Sequence, residues 1–180
     1  MSRINTIEPA NAPQNIAALY DAVKKKLGLV PNMVKVLGNS NAALQGYLSL
    51  SGAVSSGRLS PSTREKIALL VAERNGCDYC LSAHTAISSL LKIPAQDVEA
   101  ARRGKSPIRK EQAILTLAEA IVANKGVVSS EDYAAAVDQG VTDEEALEVV
   151  ANVAVNILTN YVNNFAQPEI DFPRVEVGAA

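Results

Sequence analysis

The chain has 180 residues, 48% of them hydrophobic, with 17 basic against 19 acidic side chains and a net charge of −2. That is apolar material for one domain's core, and the mixed charge offers no basic stripe for nucleic acid. No run approaches the roughly 18 uninterrupted apolar residues of a membrane span, and the opening MSRINTIEPANAPQ lacks the apolar stretch of a secretory signal. Aromatic residues make up only 4%, with no Trp, so the core is assembled from small aliphatics at close helix–helix distances.

Strand signals are nearly absent, helix starts and stops recur, and the chain reads as all-α. A helix is predicted over 14–27, ended by Gly28, and a short one over 32–37 between Pro31 and Gly38. Ser40 caps the next, 41–55, which ends near Gly57. Ser60 is then an N-cap, with Pro61 at the first helical position, where its missing N–H costs nothing. That helix runs to Asn75 and stops at Gly76, a left-handed C-terminal residue. A helix from Asp78 to Lys92 carries both cysteines at its start. Pro94 opens another to Arg103, with Gly104 after it, and Ser106–Pro107 repeats the cap-then-proline device for 108–125. Ser129 with Asp132 caps a helix to Gln139, and Thr142 with Glu145 forms a capping box for the last, 143–166. The tail QPEIDFPRVEVGAA holds two prolines and is predicted to run extended over a neighbouring surface. Lys24–Lys26, Arg102, Arg103 and Lys105 read as solvated charge.

The sequence predicts a single domain over 1–180, with repeat-like segments at 40–104 and 107–167. At an offset of 83 residues, residues 57–80 lie over 140–163: Gly57 on Gly140, Glu65 on Glu148, Ala68 on Ala151. Cys77 and Cys80 fall on Asn160 and Asn163, and His84 on Gln167. On this reading one helical hairpin occurs twice, with its chemistry kept in the first copy. Asn160, Asn163 and Asn164 are expected to make helix–helix hydrogen bonds in an assembly, and Glu148 to be a surface or interface charge.

The run EKIALLVAERNGCDYCLSAH (65–84) holds both cysteines and the sole histidine. Gly76 ends one helix and the next begins at Cys77 or Asp78, so both thiols sit at a helix first turn. Free N–H groups and the positive end of the macrodipole favour a thiolate there. Cys80 and His84 are four apart, on one helical face within reach. Cys77 lies one turn before Cys80, close enough to close a disulfide with it. This is the equipment of a two-cysteine redox cycle. Which sulfur ionises is left open, since the dipole favours whichever lies nearer the amides. Glu65 lies 11 residues before Gly76 and His84 eight after, distances of about 16 and about 12 Å along their helices. If the helices fold back at Gly76 the two come level, and the carboxylate can orient the imidazole.

The spacing Glu, eleven residues, C-x-x-C, three residues, His resembles the alkylhydroperoxidase D-like branch of the carboxymuconolactone decarboxylase family. LGLVPNMVKVL (27–37), LKIPAQDVEAARRG and the tail around EIDFP are similar to its peroxidase-related subgroup, so the likeness covers most of the chain. The resemblance implies an all-helical fold with a repeated hairpin, assembled as trimers or hexamers. It implies reduction of hydroperoxides by Cys80, with Cys77 resolving and His84 with Glu65 as proton relay. It also implies a thioredoxin-like or lipoyl protein as reductant, and no cofactor. Some members carry a second histidine between the cysteines; here Tyr79 stands there, a poor base near neutral pH and a candidate wall of the binding pocket.

Three other readings compete. C-x-x-C-x-x-x-H offers three zinc ligands, with Glu65 a conceivable fourth, but a closed structural site wants four and no further Cys or His exists. A decarboxylase or lactone-processing enzyme would have no need of two thiols. A redox-sensing oligomer would switch assembly without turnover. Low aromatic content, Ala/Val faces and the tail point to a homo-oligomer. The expected compartment is the reducing cytoplasm, where a C-x-x-C pair is chemical rather than structural.

Overall fold

The computed structural model describes residues 2–178; Met1 and Ala179–Ala180, which the predicted domain and tail include, lie outside the described residues. Among the described residues there are nine α-helices and no strand, as the sequence predicts. They are α1 Gln14–Leu27, α2 Asn32–Leu37, α3 Asn41–Ser55, α4 Pro61–Arg74, α5 Asp78–Leu90, α6 Ala95–Arg102, α7 Arg109–Ala123, α8 Ser130–Asp138 and α9 Asp143–Ala166. A single 3-10 turn at Pro9–Asn11, not foreseen, precedes them.

Most ends follow the local chemistry read from the sequence. Ser40, Ser60 and Ser129 each accept a backbone N–H from the third residue on, and Thr142 with Glu145 makes both bonds of a capping box. Ser106–Pro107 does not cap α7. That helix starts at Arg109, its N-cap is Ile108, and no side chain caps it. Ser106 instead donates its hydroxyl to Glu111 at 2.9 Å, and Glu111 in turn holds the buried Lys66 at 2.6 Å. A carboxylate and an ammonium taken out of water need every polar partner available, and that demand outranks the cap.

α4 is the central helix, packed against α5, α6, α7 and α9. Its Leu69 and Ala72 enter a core shared with α1, α2, α5 and α6, while Ile67, Leu70 and Val71 enter a second core with α7, α8 and α9. Burying such side chains contributes about 1.5–3 kcal/mol each. Because both faces of α4 are sealed, whatever its ends carry is held rigidly.

One charge, Arg102, differs from expectation, and the tail runs as predicted. Arg102 is buried, bonded to Glu73, to Glu99 and to the carbonyl of Glu176, whereas Arg103 and Lys105 are solvated. Guanidinium burial is tolerated here because carboxylates flank it. Glu148 accepts the backbone N–H groups of Arg58 at 2.7 Å and Leu59 at 2.9 Å, fixing the turn before α4. The tail runs extended over its own molecule. Ile170, Phe172, Val175 and Val177 pack on the first core, the Ser82 hydroxyl accepts from Val175 N–H, and Asp78 accepts from Val177 N–H.

Candidate active site

The break between α4 and α5 builds the site. Gly76 takes φ +63°, a left-handed turn that only glycine adopts without cost. Cys77 becomes the N-cap of α5, and its Sγ accepts the N–H of Cys80 at 3.2 Å. Both sulfurs are reduced and buried, Cys77 fully and Cys80 to 3% exposure. α9 crosses the break from the other side: Asn163 Nδ2 donates to Cys80 Sγ at 3.1 Å, and Asn160 Oδ1 accepts from Asn75 at 2.8 Å. These asparagines thus bond between helices of one chain.

Folding back at Gly76 brings Glu65 level with His84, as the residue counts require. Glu65 Oε2 lies 2.7 Å from His84 Nδ1. A carboxylate on Nδ1 fixes the proton there and leaves Nε2 as the working nitrogen. Burial opposes the ring's positive charge, but the charge and hydrogen bond of Glu65 outweigh it and raise His84 above its ordinary range.

The two thiols part company. A hydrogen bond from Cys77 lowers the Cys80 thiol against the opposition of burial; Asn163, the charge of His84 and Asn160 add to it, and the result is about 6. Cys77 moves well above the ordinary thiol range because it donates that bond and because it is buried. The direction favours Cys80 over Cys77 as the more acidic sulfur, although Cys77 sits nearer the amides.

Cys80, His84, Glu65 and Tyr79 all line one cavity of about 590 Å³, within the size range of small-molecule sites. Its remaining wall is largely apolar, including Leu19, Val23, Met33, Leu48, Ile87 and Phe172. The Tyr79 phenol is committed: it donates to Asp171 at 2.6 Å, accepts from Met33 N–H at 3.1 Å, and its ring meets Phe172 edge-on at 5.9 Å. Burial, with that bond, raises its hydroxyl far above neutrality, so position 79 is pocket wall and tail anchor. Tyr47 of α3, its hydroxyl raised by burial, also faces the cavity and was not foreseen. Nor was the contact of Asn163 with sulfur, although the repeat offset that lays it on Cys80 was a signal for it. Among the described residues no cluster of three or more His, Cys, Asp or Glu is gathered as a metal ion would need, since Glu65 is turned to the imidazole.

Residues 41–123 match the model of the carboxymuconolactone decarboxylase family. A peroxidase-related protein from Ralstonia eutropha JMP134, an alkylhydroperoxidase AhpD core, is 26% identical over 94% of this chain and 92% of its own, with a TM-score of 0.85. A peroxidase-related protein from Silicibacter sp. TM1040 is 21% identical over 93% and 91%, with a TM-score of 0.81. The debrominase Bmp8, solved as a cysteine-to-alanine variant with 2,3,4-tribromopyrrole, is 20% identical over 93% and 91%, with a TM-score of 0.80. Among curated protein sequences none matches. The matched segment spans α3 through α7 and so contains the whole Glu–Cys–Cys–His run, and the fold around it matches the AhpD core, so over these helices the chain is similar to the carboxymuconolactone decarboxylase family.

Proposed function

We propose that the protein is a thiol peroxidase that reduces alkyl hydroperoxides through Cys80 and Cys77. The observation that carries this reading is the Cys80 sulfur on the wall of a largely apolar cavity beside His84, with the second thiol, Cys77, one turn back and accepting the N–H of Cys80. The Cys80 thiolate attacks the terminal oxygen of R–O–O–H; the S–O bond forms as the O–O bond breaks. The departing alkoxide takes a proton from His84, whose charge Glu65 supports, and leaves as alcohol. The Cys77 thiol then attacks the Cys80 sulfenic acid, releasing water and closing the disulfide. A dithiol donor, thioredoxin-like or lipoyl, is oxidised to restore both thiols, which suits a reducing cytoplasm.

Mixing the reduced protein with cumene hydroperoxide should consume one equivalent and remove both free thiols together. Unchanged thiol counts would sink the reading. Hydrogen peroxide should react more slowly, since it fills little of the cavity. The likeness to Bmp8, at 20% identity, carries the fold and no chemistry. A lactone-acid decarboxylase would keep its activity in the double Cys77→Ser, Cys80→Ser variant.

We further propose a homo-oligomer joined through α9. Leu147, Val150, Ala154, Leu158, Tyr161 and Phe165 recur every three or four residues along its exposed side, and the five larger ones are 39–71% exposed. That is the spacing of a helix seam, with a small residue at its middle. Tyr161→Glu should reduce the sedimenting mass to that of one chain; a monomeric parent protein would remove the proposal.

A further inference from the structure

The two α9 asparagines that face the sulfurs have no part in the cycle above, and their own bonding is half complete. Asn163 is 3% exposed; its Nδ2 bonds Cys80 Sγ, while its Oδ1 has no partner. Asn160 is fully buried; its Oδ1 is bonded to Asn75, while its Nδ2 has no partner. A buried amide N–H without an acceptor is costly to leave in a native protein. A neutral thiol is a weak acceptor, and a thiolate is a strong one able to take several donors.

We propose that Asn163 and Asn160 form an amide cradle for an anionic Cys80, with Asn163 a catalytic residue that touches the reacting sulfur and Asn160 a second donor behind it. The catalytic part of this assignment rests on the peroxidase reading; the holding of the anion does not. The geometry follows from the fold: Cys80 and Asn163 are separated by 83 residues, the repeat offset itself, and meet where α9 crosses the α4–α5 break. One half of the chain supplies the sulfur and the other the amide. The titratable groups that bear on Cys80 are Cys77, Tyr79 and His84 on α5, Glu65 on α4 through His84, Tyr47 on α3, and Asp171 of the tail through Tyr79. At positions 160 and 163 α9 contributes neutral amides, so replacing Asn163 removes donors without changing any charge.

The cradle also bears on the redox balance. A disulfide sulfur is neutral, so closing Cys77–Cys80 discards the donors' interaction with the anion. Asn163 therefore favours the dithiol and makes the disulfide more oxidising.

The test is a thiolate titration by ultraviolet absorbance, assigned to Cys80 by mass-resolved alkylation. Asn163→Leu, of similar shape without a donor, should raise the Cys80 midpoint by about one to two pH units. It should also shift the glutathione equilibrium toward the disulfide. Asn160→Leu should raise the midpoint by less. Asn156→Ala changes a buried asparagine whose amide bonds only its own helix, to Asn152 O, and should leave the midpoint in place whatever it does to stability. If Asn163→Leu fails to fold, Asn163→Asp keeps the size and sets a carboxylate against the sulfur, raising the midpoint further. An unmoved midpoint in either folded variant overturns the cradle. A shifted midpoint in a protein that consumes no hydroperoxide keeps the cradle and discards the peroxidase.

Discussion

Laid over one another at an offset of 83 residues, α4–α5 and α9 match at several positions and fold differently. The first is interrupted between Arg74 and Asp78; the second runs unbroken from Asp143 to Ala166. Where the first has Gly76 at φ +63°, the second has Thr159, still helical, with its hydroxyl bonded to Asn156 O. The interruption creates a helix N-terminus inside the core, and Cys77 fills it. The unbroken helix has no free N–H groups at that level and supplies side-chain amides instead. Glu65 faces an imidazole, whereas Glu148 faces two backbone N–H groups. Lys66 is buried against Glu111, whereas its counterpart Val149 is buried among aliphatics. The thiols and the imidazole therefore come from the interrupted pair, and the continuous helix brings amides to face them.

Six substitutions can break or sharpen that contrast. Cys80→Ser should abolish hydroperoxide consumption altogether; residual turnover would move the chemistry away from the break. Glu111→Ala leaves Lys66 buried without a partner and should destabilise the fold by about 3–5 kcal/mol in urea melts. A smaller loss would mean that Lys66 reaches solvent. Gly76→Ala meets no neighbouring atom, so its cost should be the conformational one alone, about 1–2 kcal/mol. The matching Thr159→Ala should cost under about 1 kcal/mol. Glu65→Gln withdraws the charge that raises His84, so the ring should lose its proton at lower pH. The acid limb of Cys80 alkylation, near pH 6 in the parent, should then move upward, while Glu148→Gln leaves it in place.

Linkage gives a further check. Cys80 is depressed in the folded state, so between about 6 and the unfolded thiol value near 8.5 the unfolded chain binds more protons. Stability relative to Cys80→Ser should rise with pH across that window and fall away as pH drops through about 6. A flat difference would mean that the thiol is unperturbed.

Much of this was legible in the residues because it is local. α1, α2, α3 and α9 begin and end where caps, prolines and glycines put them, and the counting from Gly76 places Glu65 beside His84. What the sequence hid is tertiary. Arg102 reads as solvated until Glu73 and the tail carbonyl of Glu176 are brought to it. Ser106 reads as a cap until Lys66 draws Glu111, and with it the hydroxyl, toward the core. The cavity is assembled from six helices, α1 to α5 and α9, and the tail, most of which share no motif. The asparagines' contact with Cys80 depends on how α9 crosses the break, which periodicity does not give.

The partner that Cys80 finds 83 residues downstream has a consequence for biosynthesis. At about 5–20 residues per second on the ribosome, the sulfur emerges roughly 4–17 s before the amide that holds it. A nascent chain in that interval lacks Asn160, Asn163 and the tail that closes over α5, so its thiol stays nearer ordinary acidity. The amide side of the site is therefore in place only once translation of the last helix is complete.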